Sequence, residues 1–229
     1  MKYAFMLILL GLAQIILAHD VTLFSWLLWW SGASWVLAGC AYGVIGPRAF
    51  GKRENGSLRW WNSALLLPFL TVTWFLWHLQ KMLTKEAPHV EVAPGIWLGR
   101  RCFDNELPSG VQMIVDLTAE FSEPPAVMAG RAYRCLPTLD ACAPAPIIAF
   151  EALIEAIAAS EQPVYIHCAL GHGRSATVTM AVLVARGNTA SLAQAEQMVK
   201  SARPGIKISN AQRHLLQQWF SSRKMLPSP

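Results

Sequence analysis

Charge is scarce in this chain, and scarcest where it begins. Of 229 residues only 14% are charged, and between Met1 and Gly46 the sole charged side chains are Lys2 and Asp20. The five cysteines form no CxxC pair and no Cys/His spacing suited to a metal, and their odd number argues against a closed disulfide framework. No Gly-Lys-Ser/Thr follows a glycine-bearing loop, which excludes the lysine-containing phosphate loop of nucleotide hydrolases. From Pro88 onward 12 Lys and Arg face 11 Asp and Glu, so the formal +5 resides mostly in the first 87 residues, with 7 basic and 3 acidic side chains. That balance leaves no basic stripe for nucleic acid. Internal repeats and low-complexity tracts are lacking as well.

What the chain has instead is apolar length. Hydrophobic residues make up 54%, and eight of the ten tryptophans precede residue 80. Uncharged runs occupy about 3–18, 21–46 and 60–80. A helix needs roughly 20 apolar residues to cross about 30 Å of hydrocarbon. Three membrane helices are therefore expected within residues 1–86, and a catalytic domain over 87–229. Trp29, Trp30, Trp60, Trp61 and Trp77 supply candidates for interfacial anchors. A cleaved signal peptide is the competing reading of the first run. It has a single basic residue ahead of it and opens onto more apolar sequence, unlike a usual cleavage site. The 48–59 loop carries four basic residues, which places it in the cytoplasm and, after three spans, sends the catalytic part to the other side. Lys81 and Lys85 just beyond the third run, and the preference of reactive thiols for a reducing compartment, pull the other way. The expectation is an integral protein of a bacterial inner membrane, leaning periplasmic.

The remainder alternates strand and helix patterns. Ala87-Pro88 to Pro94 reads as a short connector. Ile96–Gly99, Met113–Thr118, Tyr133–Pro137 and Pro163–His167 read as strands, with Pro137 implying an edge or a strand end. Helices are expected over Pro146–Ala159, Ser175–Arg186, Ser191–Ala202 and Ser209–Arg223, with Gly187 as a C-cap and Ser191 as an N-cap. Such alternation means an α/β domain. Asp116 reads as a hydrogen-bonding residue at a strand end. Cys40 reads as a small hydrophobe, and Cys102, Cys135 and Cys142 as structural, each a possible oxidative partner for a reactive thiol.

One stretch carries chemistry: Val164-Tyr165-Ile166-His167-Cys168-Ala169-Leu170-Gly171-His172-Gly173-Arg174-Ser175-Ala176. A β-type run ends in a cysteine, and after five intervening residues an arginine meets the start of a helix. A loop of that length can turn its successive backbone N–H groups inward as an anion nest, reinforced by the helix dipole. Such a nest favours anions, and the thiolate is the nucleophilic form of cysteine. Arg174 adds a fork matched to two phosphate oxygens. Gly171 and Gly173 permit backbone approach that a Cβ would obstruct.

His167-Cys168-x-x-Gly171-x-x-Arg174-Ser175 resembles the signature of the cysteine-dependent protein tyrosine phosphatases, and within them the dual-specificity branch. Further landmarks over about 95–222 are similar: Trp97-Leu98-Gly99, and the Arg203-Pro204 with Gln212 that follows the cradle. The resemblance implies a phosphatase-type central sheet flanked by helices, here preceded by an α-helical transmembrane region. It implies Cys168 as nucleophile, Asp140 (28 residues earlier on a loop) as general acid, and Arg174 with the N–H groups of Ala169, Leu170, Gly171, His172 and Gly173 as the phosphate site. It also implies Ser175 as the donor to the leaving thiolate and His167 as a buried support. Arg203 braces the domain, and Gln212 approaches the water of the second step. His172 is either a rim cation that informs substrate choice, as in lipid-directed members, or a residue without a role.

No metal or cofactor is implied. The expected partners are the lipid bilayer and a phosphorylated protein (Tyr, Ser or Thr) or phospholipid head group, since no extended aromatic loop builds a deep phosphotyrosine slot. Two other readings are a rhodanese-like sulfur transferase or arsenate reductase, disfavoured by the upstream Asp140, and a catalytically silent phosphate-binding membrane adaptor.

Overall fold

The computed structural model describes residues 2–225, which divide into two compact units: residues 2–84 with Ala119–Ser122, and Lys85–Thr118 with residues 123–225.

The first unit is helical. Among the described residues three helices are long and apolar enough to cross a membrane: α1 (Lys2–Asp20), a path from Ser25 to Phe50, and α3 (Trp60–Leu83). The middle path is α2 (Ser25–Cys40), continued by a π turn at Ala41–Ile45 and a 3-10 turn at Gly46–Phe50. It starts later than the apolar run from Val21, because Phe24 adopts a left-handed conformation (φ 62°) that stops α1 from running into α2. It also outlasts Pro47, since proline in a first helical turn lacks an N–H that would have no partner there anyway.

Small residues set the α1–α2 contact. A Cβ on Gly11 would lie 2.5 Å from the Gly32 carbonyl oxygen, and one on Gly39 would lie 2.9 Å from that of Ala4. Close backbone approach of this kind is how apolar helices gain packing energy where no hydrophobic effect separates them from lipid.

The α2–α3 contact repairs a defect. Pro68 lies inside α3 and cannot donate to Ala64, four residues back. Trp30 Nε1 donates to that Ala64 carbonyl at 3.0 Å, and the amide of Phe69 donates to Ser34 Oγ at 3.2 Å. Trp30 and Ser34 are one helical turn apart, so a single face of α2 serves both groups that the proline disturbs. Many large side chains of these helices, among them Phe5, Ile16, Trp26 and Phe75, are exposed on the unit's exterior.

The second unit is built on a five-stranded sheet of order β1-β2-β5-β3-β4, antiparallel only between β1 and β2. The strands are β1 (His89–Ala93), β2 (Ile96–Arg100), β3 (Met113–Thr118), β4 (Ala132–Thr138) and β5 (Val164–Cys168). Between them stand the single turn α4 (Pro125–Met128) and α5 (Ile147–Ser160). After β5 come α6 (Gly173–Ala185), α7 (Leu192–Ala202) and α8 (Asn210–Met225).

Four strands and four helices match the sequence patterns, and Pro137 does lie on an edge strand, where a missing N–H leaves no ladder bond unmade. Ser191 accepts from the Gln194 amide as the α7 cap. The connector expectation for residues 87–94 is corrected: His89–Ala93 is a strand, joined to β2 through Gly95 at φ 72°.

β5 is central and buried throughout. Its pleat sends Val164, Ile166 and Cys168 into the larger core with α5 and α6, while Tyr165 belongs to a second cluster with Cys102 and Ile114. Helix α6 is buried from Arg174 to Leu183. The carboxyl end of the middle strand thus delivers Cys168 to the amino end of the most buried helix.

Candidate active site

The local chain dictates the cradle's shape. Gly171 has φ 76°, and a Cβ there would lie 2.4 Å from the backbone carbon of Gly99 and 2.6 Å from the Arg100 nitrogen. Only glycine lets the loop lie against β2. The same loop is pinned at its start, where the Arg101 amide donates to the Ala169 carbonyl at 3.2 Å. Helix α6 opens at Gly173, so Arg174 and Ser175 fall in its first turn, and Ala169 to Gly173 form the curl between strand and helix.

Cys168 Sγ lies 3.3 Å from Ser175 Oγ. The Arg174 side chain is 1% exposed; its Nη1 donates to the Thr138 carbonyl at the end of β4 (2.8 Å), and its Nη2 lies 3.3 Å from Asp140 Oδ1. Asp140 is itself 72% exposed, so a buried cation is tied to an acid that reaches solvent. Cys168 and Asp140 open on a cleft of about 280 Å³, with Cys168 at its base, Leu170 and Gly173 along its wall, and Asp140, His172 and Lys207 at its rim.

Gln212 also lines the cleft and is fully buried. Its Oε1 accepts from the Ser209 amide (2.8 Å) and its Nε2 donates to the Cys142 carbonyl (2.9 Å), which fixes the amide group beside Gly173.

Arg203 holds the loop from outside, donating from Nη1 to Ala87 O (2.8 Å) and from Nη2 to Leu170 O (3.2 Å). His172 points to Glu86, with Nε2 2.8 Å from Oε2, and that same oxygen lies 2.8 Å from Arg203 Nη2. Burial tends to raise the Glu86 carboxyl, but the His172 hydrogen bond and the Arg203 charge outweigh it and hold the group below the ordinary carboxylate range. His172 is therefore a rim residue whose ring is already engaged by an internal anion.

His167 is fully buried on the opposite face of β5 from Cys168. It stacks on Tyr165 and approaches Glu123 Oε1 with Nε2 at 3.8 Å. Glu123 in turn lies 3.5 Å from Arg101 Nε. Asp116, Glu123 and His167 offer atoms within 4.8 Å of one another, a spacing that a metal ion can use. Asp116 already accepts from the Thr118 amide and hydroxyl and from Tyr133 Oη, and Glu123 faces a guanidinium. Those donors make the group a buried ion-pair and hydrogen-bond network. The expectation for Asp116 holds, as it binds hydrogen-bond donors at its strand end.

All five cysteines are free thiols. Burial and the nearby Asp140 carboxylate raise the Cys142 thiol, while Cys102 Sγ lies 3.1 Å from Tyr165 Oη.

The structure thus brings together Cys168, Arg174, Ser175 and Asp140 with the loop 169–173, and leaves His167 behind the sheet. Sequence reasoning missed Glu86, Lys207 and the Arg101–Glu123 pair. Lys207 stands out only as a cation between Ile206 and Ile208, and Glu86 has no local signal at all.

The family described as "Dual specificity phosphatase, catalytic domain" matches residues 109–222. Among solved structures, a point variant of human DUSP28 is 30% identical, covering 61% of this chain and 98% of that one, with a TM-score of 0.53. A mouse putative dual specificity phosphatase complexed with zinc tungstate is 26% identical, covering 64% and 96%, with a TM-score of 0.50. PTPMT1 in complex with PI(5)P is 21% identical, covering 60% and 97% at a TM-score of 0.53, which is a likeness of fold. No curated protein sequence matches the chain. With its family match, its near-complete coverage of a relative at 30% identity and an α/β domain of this type, the chain belongs to the dual-specificity phosphatases of the cysteine-dependent phosphatase superfamily, a membership that implies hydrolase activity.

Proposed function

We propose that this chain is a membrane-anchored phosphomonoesterase that works through a cysteinyl-phosphate intermediate at Cys168. The observation that carries the reading is a cleft lined by Cys168 and Asp140, with Ser175 Oγ 3.3 Å from the Cys168 sulfur and the buried Arg174 fork 3.3 Å from Asp140 Oδ1. In the first step the thiolate attacks phosphorus and the ester P–O bond breaks. Asp140, protonated, delivers its proton to the departing oxygen. The equatorial oxygens lie on the amides of Ala169 to Arg174 and on the guanidinium, which stabilise the transition state most strongly. In the second step water attacks phosphorus, Asp140 takes its proton, and the P–S bond breaks while the Ser175 hydroxyl donates to the returning thiolate.

The anchor is the three-helix unit, whose exposed apolar exterior suits lipid. Tethering raises the local concentration of substrates at the bilayer, and phosphoprotein side chains and phospholipid head groups are the candidate substrates. The test is turnover by the full chain in detergent micelles with EDTA present, assayed in parallel on 4-nitrophenyl phosphate, phosphopeptides and a phosphomonoester lipid. Cys168→Ser should abolish turnover of all three while vanadate still binds; activity retained by that variant would end the proposal.

A further inference from the structure

Very little chain separates the last membrane-length helix from the catalytic unit. Helix α3 ends at Leu83, and the Thr84 amide donates back to the Gln80 carbonyl at 2.9 Å. Glu86 is already seated in the catalytic unit, with Oε2 2.8 Å from His172 Nε2. The residues after it are held too: Arg203 Nη1 donates to the Ala87 carbonyl at 2.8 Å, and the Arg100 amide donates to the Pro88 carbonyl at 2.9 Å. The leash is therefore two residues long, Thr84 and Lys85. Three residue steps of extended backbone span at most about 11 Å, so Glu86 stays within that distance of Leu83 at any angle of the leash. Glu86 in turn holds His172, which stands on the rim of the cleft that has Cys168 at its base.

The other end of the leash is fixed by the bilayer. Helix α3 has 24 residues, a length of about 36 Å against roughly 30 Å of hydrocarbon. Its last turn, with Gln80 and Lys81, thus falls at the level of the lipid head groups. From Trp60 to Lys85 there is no acidic side chain, and Lys81 and Lys85 stand at the start of the leash and within it. Cations just outside a bilayer draw anionic lipids. The lining of the cleft suits the same ligand: Ala141, Leu170 and Ile208 give it apolar surface beside Lys207, matching the carbon skeleton that follows a lipid phosphate.

We propose that reach sets the specificity of this chain: the Thr84–Lys85 leash confines the cleft to the head-group layer of the bilayer that α3 crosses, and the substrate is a lipid phosphomonoester of that same bilayer. The phosphoryl group passes from the lipid oxygen to Cys168 Sγ as the P–O bond breaks, and the lipid leaves as an alcohol carrying the proton of Asp140. Water then attacks phosphorus, the P–S bond breaks, and orthophosphate departs. The inference rests on the proposed membrane anchoring and on the reading of residues 168–174 as a phosphate cradle.

The test uses the full chain in dioleoylphosphatidylcholine nanodiscs, with release of orthophosphate as the readout. Dioleoyl phosphatidate and phosphatidylinositol phosphate are supplied either in the same discs or in separate discs without protein. Water-soluble dihexanoyl phosphatidate and 4-nitrophenyl phosphate report on the cleft itself. At least one of the two lipids should turn over about tenfold faster in the same disc than in separate discs. Inserting about six, then about twelve, Gly and Ser residues between Thr84 and Lys85 adds an r.m.s. reach of about 13 and then about 19 Å. The same-disc rate should fall stepwise, by about fivefold with the longer insert, as the effective concentration is diluted, while both soluble substrates keep their rates. Equal rates in same and separate discs, a comparison that needs no variant, overturn the inference. So does a same-disc rate indifferent to both insertions. Faster turnover of a lipid-anchored phosphotyrosine peptide than of either lipid in the same discs overturns the lipid assignment. Turnover of the soluble substrates with neither lipid attacked overturns the inference and leaves the phosphatase reading standing. No turnover of any substrate overturns the phosphatase reading, and a chain recovered outside the discs overturns the anchoring; the inference falls with either.

Discussion

Replacing Asp140 by Asn separates proton delivery from everything else this residue does. The side chain is 72% exposed and its Oδ1 lies 3.3 Å from the buried Arg174 Nη2. Asparagine has the same shape, and its carbonyl oxygen can still accept from that guanidinium, so the loop after β4 keeps its anchor. Two things are lost: a negative charge beside the arginine and a transferable proton. The charge is largely screened at such exposure, so it should change KM by no more than about fivefold, or roughly 1 kcal/mol. The proton matters in proportion to how badly the leaving group needs it. General acid catalysis is worth about 10²–10⁴ in rate, or roughly 3–5 kcal/mol of barrier. An alkoxide such as that of a phosphoserine peptide should therefore lose about 10²- to 10³-fold in the rate of the first step, its release from phosphorus. 4-Nitrophenolate leaves readily as an anion and should lose less than about tenfold. The assay is the single-turnover rate of leaving-group release from both substrates, which precedes the hydrolysis that Asp140 also serves as base, with the full chain in detergent, wild type against Asp140→Asn. An equal loss on both would refute the reasoning, because it would mean that Asp140 only braces Arg174.

The cradle was legible because its information is local. Cys168, five loop residues, Arg174 and Ser175 are held by covalent spacing, and the glycine requirement at Gly171 follows from a loop that must lie on a neighbouring strand. The buried helix behind it is equally plain from its largely apolar run, in which only small Ser and Thr interrupt Ala, Val, Met and Leu. Asp140 is 28 residues from Cys168 in sequence; it was identified through resemblance and loop position, and its ion pair with Arg174 emerged only from the fold. The first strand was misread because Pro88 and Pro94 bracket it like a linker. Yet His89 and Glu91 alternate with Val90 and Val92, the period-two signal of a half-buried strand. Prolines at strand ends do not interrupt a ladder, so the alternation and not its borders marks the strand. The second apolar helix was misplaced at both ends for a similar reason: a left-handed Phe24 and a 3-10 turn after Gly46 are backbone choices without a compositional mark. Glu86 meets residues 86 and 117 positions away, and Glu123 meets His167 across the sheet. Partnerships at that range are made by topology, and no window of sequence contains them.

Within the helical unit, Trp30→Phe removes the donor to the Ala64 carbonyl that Pro68 leaves without its usual partner. It should cost about 1 kcal/mol in detergent unfolding, and less in a Pro68→Ala background, where the backbone bond returns. Equal costs in both backgrounds would show that the indole does not serve that carbonyl. Between α7 and α8, hydrogen bonds from Arg213, then Lys200, hold the Glu196 carboxyl down at about 2. A carboxyl depressed on folding stabilises the protein above its ordinary value and loses that contribution as pH falls toward 2. Both cations are about half exposed, so screening limits the effect to about 1 kcal/mol. Glu196→Gln should therefore lower stability at neutral pH and not near pH 2, and a pH-independent difference would count against the linkage. The largest stability effect is expected at Glu123, whose side chain is fully buried 3.5 Å from Arg101 Nε and 3.8 Å from His167 Nε2. Removing one member of a buried pair strands the other, at a cost of about 3–5 kcal/mol. Glu123→Gln should lose that much in denaturant unfolding, while Glu123→Gln combined with Arg101→Gln should lose clearly less than the two single costs added, because no charge is left without its counter-ion. Additive losses would mean that Arg101 draws its compensation elsewhere, and that the carboxylate behind the sheet holds His167 rather than the arginine.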